Sequence, residues 1–480
     1  MNMLILLPLI MYLFFVFGVA FYAYRQRTSG HFLTDYYVGG RSMSGFVLAM
    51  TMAATYVGAS SFIGGPGAAY KYGLGWVLLA MIQVPAVILS LGVLGKKFAI
   101  LARQNNSLTI NDMLLARYKS PVIVWLSSFA ILLSFLAMML VQFIGAGRLL
   151  ETTLGISYEM SLFIFALTVG AYTFFGGFRA VVLTDAIQGL VMMIGTLLLL
   201  GGVIYFAGGI EPIINKLEMI NPQLITPYGI DERPLDFTFM LSFWVLVCFG
   251  LMGLPQLAMR SMAYKNSKAL HQAMIIGTVV VSILMLGMHL AGALGRALLP
   301  DLTVVDQVIP TLMLKVLPPV VVGIFLAAPM AAIMSSIDSM LIQASSTIIK
   351  DLYLAFRPTA IENEPRLKIF STLTTLGLTI IVFLLAFNPP DMLIWLNLLS
   401  LGGLEATFLW VIVLGLYWQK ANATGAIFSM MIGLGSYMLM AGLQIKLFNF
   451  HSIVPSLFFG LIAFGIGNLL GKRRLLSANV

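Results

Sequence analysis

Stretches of about 20 mostly apolar residues, the length that carries a helix across a hydrocarbon core, recur from one end of this chain to the other. Thirteen such segments are read at 3–24, 44–68, 75–95, 121–145, 159–178, 183–207, 237–259, 272–295, 318–346, 367–387, 391–417, 422–444 and 452–471. Residues are 60% hydrophobic and 9% charged, whereas soluble domains carry about 25% charged residues. Too little polar surface is available to face water, so lipid is the expected solvent. The expectation is an all-α polytopic membrane protein forming one domain over 1–480. No basic residue precedes the first segment and no small-residue cleavage site follows it, so that segment reads as a retained helix.

The net charge of +9 would suit an anionic partner, but its placement argues otherwise. With the N-terminus outside, 20 of the 27 Lys and Arg fall in inward loops, the pattern of a cytoplasmic face. The reading is therefore N-terminus out, C-terminus in, with no nucleic-acid partner and no obligate protein partner. The one cysteine, Cys248, excludes an intrachain disulfide framework and a Cys-rich metal site and reads as a small packing residue. No HExxH, Walker loop, CxxC or GxSxG occurs, so nothing points to an enzyme. The segment 208–236 is the longest outward loop, expected to be a surface loop or short amphipathic cap.

Two segments are punctured. Gly58, Gly64, Gly65, Pro66 and Gly67 interrupt the second, and Gly250, Gly253 and Pro255 interrupt the seventh. Non-helical backbone at membrane depth survives only where it is buried in protein or lines a cavity. Paired interruptions in two halves point to a transporter's binding site. Segments 2–6 and 7–11 make two runs of five, and an odd number starts the second run from the opposite face. A five-plus-five inverted repeat over 44–207 and 237–417 is thus allowed, with 3–24 and the two helices of 422–471 as accessories. Gly and Pro are common in membrane helices anyway.

Several polar residues sit inside apolar segments. Ser335 and Ser336 are adjacent hydroxyls, with Ala332 one turn earlier. They suit a hard cation such as sodium, or they bond their own helix's carbonyls. Asp338 shares that helix, and Glu405 sits in segment 11. A carboxylate at the bilayer centre costs roughly 2.5–3.5 kcal/mol on insertion scales and usually marks an ion pathway or a partner. Asp185 lies near a helix start and reads either as an N-cap or as part of such a pathway. His289 and Gln142 read as helix–helix contacts.

The runs GGRSM (39–43), YTFFGGFRAVVLTDAIQG (172–189) and AAIMSSIDSML (331–341), with the broken second segment, resemble the sodium:solute symporter family over about residues 10–470. SSFIGGPGAAYKYGLGWVLLAMIQ, MHLAGALGRA, LAAPMAAIMS and DMLIWLNLLS are similar to the branch of that family that carries pantothenate. The resemblance implies a LeuT-type core and uptake by alternating access across a bacterial inner membrane. It implies sodium as coupling ion and no other cofactor. The carbonyls of Ala54, Val57 and Ala332 and the hydroxyls of Ser335 and Ser336 are the implied sodium ligands. Asp185 matches a position that handles sodium near the cytoplasmic exit. Where some members carry an acid or amide in the broken segment, this chain has Tyr56.

For a hydroxylated, amide-containing anion such as pantothenate, no buried Lys or Arg is evident. The expected anion site is the set of N–H groups around Ser60, Ser61 and Gly64, where a helix N-terminus carries about half a positive charge. Gln83 is expected to meet an amide or hydroxyl, and Val247 and Leu251 the methyl groups. The alternatives are the same machine with proline, a sugar or a monocarboxylate, and an ion channel.

Overall fold

The structure, a computed structural model, describes residues 3–25, 43–174, 178–230, 235–359 and 363–471. Arg27, Arg41, Arg233 and the basic run 472–474, which enter the charge count, lie outside them, as does most of GGRSM. Among the described residues the chain is helical, apart from an isolated bridge between Met43 and Tyr264.

The helices used below are α1 (Met3–Arg25), α2 (Gly45–Tyr56), α3 (Ser60–Tyr72), α4 (Leu74–Gln104), α5 (Ile110–Tyr118), α6 (Pro121–Leu154), α7 (Tyr158–Phe174) and α8 (Phe178–Phe206). The second half holds α9 (Phe237–Gly253), α10 (Pro255–Arg260), α11 (Ser267–Gly295), α12 (Pro319–Phe356), α13 (Glu364–Leu385), α14 (Leu393–Tyr417), α15 (Ala423–Gly442) and α16 (Ile453–Leu470). Nine of the described helices are long and apolar enough to span a membrane, or ten if the bent pair α2–α3 is one span; three shorter apolar helices accompany them. The expected segments overlap helices among the described residues, with 44–68 and 237–259 each covering two. Several run longer than the minimum crossing, α6 to 34 residues, because a buried helix can extend past the hydrocarbon without exposing apolar surface to water.

Both expected breaks are present. Between α2 and α3 the axis bends by 67°, and Val57 is extended (φ −89°, ψ 105°). In α9 the backbone passes through a π turn (Val245–Phe249) and a 3-10 turn (Gly250–Gly253). It reaches an extended Leu254 before Pro255 opens α10. Leu254 precedes proline, which disfavours the helical region there. Of the surface loop or amphipathic cap expected over 208–236, the structure has an amphipathic helix, Ile210–Ile220, that buries Ile213 and Leu217.

Burial separates the helices into layers. All residues of Ala327–Ser346 in α12 are buried, and most of α14 is. By contrast α1 and α13 present long apolar faces outward, with Phe14, Ile380 and Leu384 at least half exposed. In lipid such faces need no covering. The broken helices, α12 and α14 therefore form the inner layer, where polar groups must find partners within the protein.

Candidate functional site

The last four carbonyls of an α-helix have no partner in their own helix, and the dipole adds partial negative charge there. At the end of α2 these carbonyls point into the protein. The serine pair of α12 lies against them. Ser335 Oγ is 2.8 Å from the Ala54 oxygen and 3.1 Å from that of Ala332. Ser336 Oγ is 3.3 Å from the oxygens of both Ala54 and Val57. Both hydroxyls reach across to α2, and Ser335 also bonds its own helix at Ala332, as Ser339 does at Ser335. Oxygens spaced 2.8–3.3 Å apart suit a shell around a hard cation, whose oxygens lie at roughly 2.3–2.6 Å for calcium. All five implied sodium ligands converge here. Gly58 permits the approach, since a Cβ there would lie 2.7 Å from both Ser336 Oγ and Gln142 Oε1.

Beside this set lies a cavity of about 50 Å³ lined by both broken helices together with α4, α6, α11, α12 and α14. At roughly 10–15 Å³ per water it has room for only a few waters, so a vitamin-sized solute enters only if helices move. Of the expected solute residues, Ser60, Ser61, Gln83 and Val247 line it; Gly64 and Leu251 are buried but do not. Leu251 lies on the 3-10 turn, whose tighter pitch rotates it off the face that carries Val247. Gly64 packs against the start of α14 instead. The N–H groups of the expected anion cradle are partly engaged. Ser61 N–H donates to the Gly58 carbonyl at 3.0 Å, and Ala59 N–H to Gln142 Oε1 at 2.8 Å. The Tyr56 hydroxyl donates to Gln83 Oε1, which leaves the Gln83 amino group for a ligand.

His289 and Gln142, expected as helix contacts, both line the cavity, as do Gln256 and Asn397. Among the described residues no Lys, Arg, Asp or Glu lines it. Trp76 packs edge-on against Phe243 (5.5 Å between centroids) and Trp395 (5.8 Å). Trp76 and Phe243 line this cavity, Trp395 lines a larger one of about 560 Å³, and Leu398 lines both. The aromatic trio stands between the two.

Asp185 is eight residues into α8 and so is no N-cap. It is fully buried and accepts from Thr51 Oγ1 (2.6 Å) and Arg260 Nη2 (3.3 Å). Arg260 also donates to Thr51 Oγ1 (3.0 Å) and Ser339 Oγ (2.6 Å). Charge counting places Arg260 in an inward loop; it is 3% exposed and ties α2, α8, α10 and α12 together. The clue in the sequence was an arginine one turn beyond a broken helix, with a buried aspartate elsewhere to meet it. Asp338 is buried on α12. Glu405 is fully buried against Gly250, at the turn where α9 breaks. Neither of its oxygens has a hydrogen-bond partner among the described residues.

Asp306 was not singled out by sequence. It lies between α11 and α12, 2% exposed, and its Oδ2 accepts the Leu393 N–H at 3.0 Å. It thereby caps α14, whose own preceding residue, Met392, supplies no side-chain cap. The α14 residues Ile394, Asn397, Leu398 and Leu401 all reach the cavity.

A profile of the sodium:solute symporter family matches residues 36–433. The sodium/pantothenate symporter of Haemophilus influenzae is 68% identical over 475 residues, 99% of this chain and 98% of that protein. The sodium/pantothenate symporter of Escherichia coli is 61% identical, over 98% of this chain and 97% of that one. Among solved structures, a sodium-coupled sialic acid symporter in a substrate-bound outward-open state superposes with a TM-score of 0.82 at 20% identity, covering 99% of both chains. At that identity the likeness concerns the fold.

Proposed function

The chain belongs to the sodium:solute symporter family, and from that premise we propose that it takes up pantothenate together with sodium across the bacterial inner membrane. The observation that carries this is the 68% identity, over nearly all of both chains, to a sodium/pantothenate symporter. The convergence of oxygens at the α2 break supports the coupling.

In this reading thirteen helices cross the membrane, N-terminus out and C-terminus in, around a five-plus-five inverted-repeat core of the LeuT type. The two broken helices open its two halves. Sodium binds the carbonyls of Ala54, Val57 and Ala332 and the hydroxyls of Ser335 and Ser336, and no cofactor is used besides this coupling ion. The ion draws the end of α2 onto α12. That fixes the backbone between Val57 and Ser61, which forms one wall of the solute cavity. Coupling follows, because each ligand stabilises the arrangement the other needs.

Pantothenate brings a carboxylate, an amide, two hydroxyls and a gem-dimethyl group. The hydroxyls of Ser60 and Ser61 and the amino group of Gln83 donate to it. Val247 meets the methyls; Gly64 and Leu251, which do not line the cavity, make no contact with the solute. Asp185, Asp338 and Glu405 shape the ion's path. The catalytic inventory is empty in this reading: the chain transports and does not transform.

Labelled pantothenate uptake into proteoliposomes tests this. Uptake is expected with sodium and not with potassium or choline. Equal uptake in all three would exclude sodium coupling, and undiminished uptake in excess proline, sugar or monocarboxylate is expected if the solute is right.

A further inference from the structure

The cavity wall contains a ring nitrogen whose role as an acceptor is fixed and unspent. His289 on α11 is 3% exposed and lines the cavity. Its Nδ1 lies 2.8 Å from the carbonyl oxygen of Met285. A carbonyl only accepts, so Nδ1 carries the proton and a neutral ring leaves Nε2 as an acceptor. Nε2 makes no hydrogen bond among the described residues. The N–H of Gly65, the glycine that faces the ring, is already donated to the Ser60 carbonyl.

Backbone and ring are shaped to each other. A Cβ on Gly65 would fall 2.2 Å from Nε2, so the glycine makes room for the imidazole at the start of the outer half of the broken helix. Among the described residues no carboxylate lines the cavity to hold an imidazolium. Several other wall groups have donors to offer: the hydroxyls of Ser60 and Ser61 and the amides of Gln83, Gln142 and Asn397. A solute that offered only acceptors would satisfy those and leave Nε2 bare, whereas a buried unmet acceptor costs about 1–3 kcal/mol.

We infer that His289 is a solute-binding residue whose Nε2 accepts a hydrogen bond from a solute hydroxyl and turns the solute's carboxylate to the other end of the cavity. This rests on the proposed uptake of pantothenate, whose two hydroxyls lie at the end of the molecule away from its carboxylate. A bare ring nitrogen attracts the first and repels the second. The residue thereby sets both orientation and selectivity: a monocarboxylate without a hydroxyl loses the contact.

The test is equilibrium binding of labelled pantothenate to purified protein at saturating sodium. Wild type, His289→Leu and His289→Gln are competed with pantothenate, with the two analogues in which one hydroxyl is replaced by hydrogen, and with pantothenol, in which an alcohol replaces the carboxylate. One deoxy analogue should bind wild type at least about tenfold more weakly than pantothenate. In His289→Leu that ratio should collapse to near one, because pantothenate has lost the same bond. His289→Gln, which keeps an acceptor, should retain part of the ratio, and both variants should keep the sodium dependence of their residual binding. Unchanged pantothenate affinity in His289→Leu, or one common loss for all ligands, would overturn the inference. So would a loss seen for pantothenate and absent for pantothenol, which would make the ring a carboxylate-binding cation. Failure of wild type to bind pantothenate with sodium would instead sink the proposed function, and this assignment with it.

Discussion

Arg260 and Asp185, 75 residues apart in sequence, form an ion pair of 3.3 Å in which both side chains are almost wholly removed from solvent. The pair is closed by Thr51, which donates to the carboxylate and accepts from the guanidinium, and by Ser339. Thr51 lies one turn before Ala54 on α2, and Ser339 one turn after Ser335 on α12. The clasp therefore fastens the same two helices that hold the five oxygens. A buried pair contributes little net stability, but removing one partner strands the other and costs roughly 3–5 kcal/mol.

Asp185→Asn should accordingly lower the melting temperature of purified protein sharply. Asp185→Leu combined with Arg260→Met should recover most of the loss, since no charge is then left stranded. Additive losses in the double variant, read from thermal unfolding in one detergent, would show that the two residues do not act as a pair.

Ser336 Oγ faces two α2 carbonyls at once, so its loss removes one oxygen and leaves the others spaced as before. Ser336→Ala should raise the sodium concentration for half-maximal uptake at least about tenfold, equivalent to about 1.4 kcal/mol. Maximal uptake at high sodium should change far less. A variant with normal sodium dependence and reduced affinity for pantothenate alone would move Ser336 from the ion site to the solute site.

How far the sequence could be read depended on what each residue's position is decided by. Helix placement follows from apolar length, and the breaks follow from Gly58, Gly250 and Pro255, whose effect is local. The Ser335–Ser336 pair stood out because two adjacent hydroxyls sit inside an apolar run, one turn after Ala332. Arg260 was misplaced because counting loop charges treats every arginine as a marker of the aqueous face, while its burial depends on a partner on another helix. Whether His289, Gln142 or Leu251 faces the cavity depends on helix rotation. In helices apolar on every side no hydrophobic stripe reports that rotation, and in α9 the π and 3-10 turns shift it further.

Asp306 gives a pH dependence. Burial pushes its carboxyl up to about 6 from an ordinary 3.8, and the Leu393 N–H and Arg148 restrain that rise. The folded chain thus holds this proton more tightly than the unfolded chain. Between about pH 4 and pH 6 it binds more protons than the unfolded chain, so stability falls as pH rises through that window and is flat above it. Acidifying from pH 7.5 toward 5 should raise the melting temperature through this group. Asp306→Asn keeps an acceptor for the Leu393 N–H without the charge, and should flatten the profile in that range. An equally steep profile in the variant would assign the dependence elsewhere.

The same clasp bears on stoichiometry. Each sodium descending a tenfold gradient supplies about 1.4 kcal/mol, and a potential of about 100 mV adds about 2.3 kcal/mol per net charge moved. One sodium with one pantothenate anion moves no net charge, so the voltage contributes nothing and accumulation reaches about tenfold. Two sodiums move one charge, about 5.1 kcal/mol in total, and accumulation reaches several thousandfold. A second sodium would need a second set of free oxygens. Asp185, which accepts from Thr51 on α2, is already neutralised by the guanidinium of Arg260. With the oxygen set at the α2 break as the one ion site, the expected ratio is one to one. Adding pantothenate to sodium-loaded proteoliposomes on a capacitive membrane should evoke no current, and the accumulation ratio should not respond to an imposed potential. An inward positive current on substrate addition would mean that a second sodium is carried, with Asp185 and the unpartnered Glu405 carboxylate as the candidate oxygens.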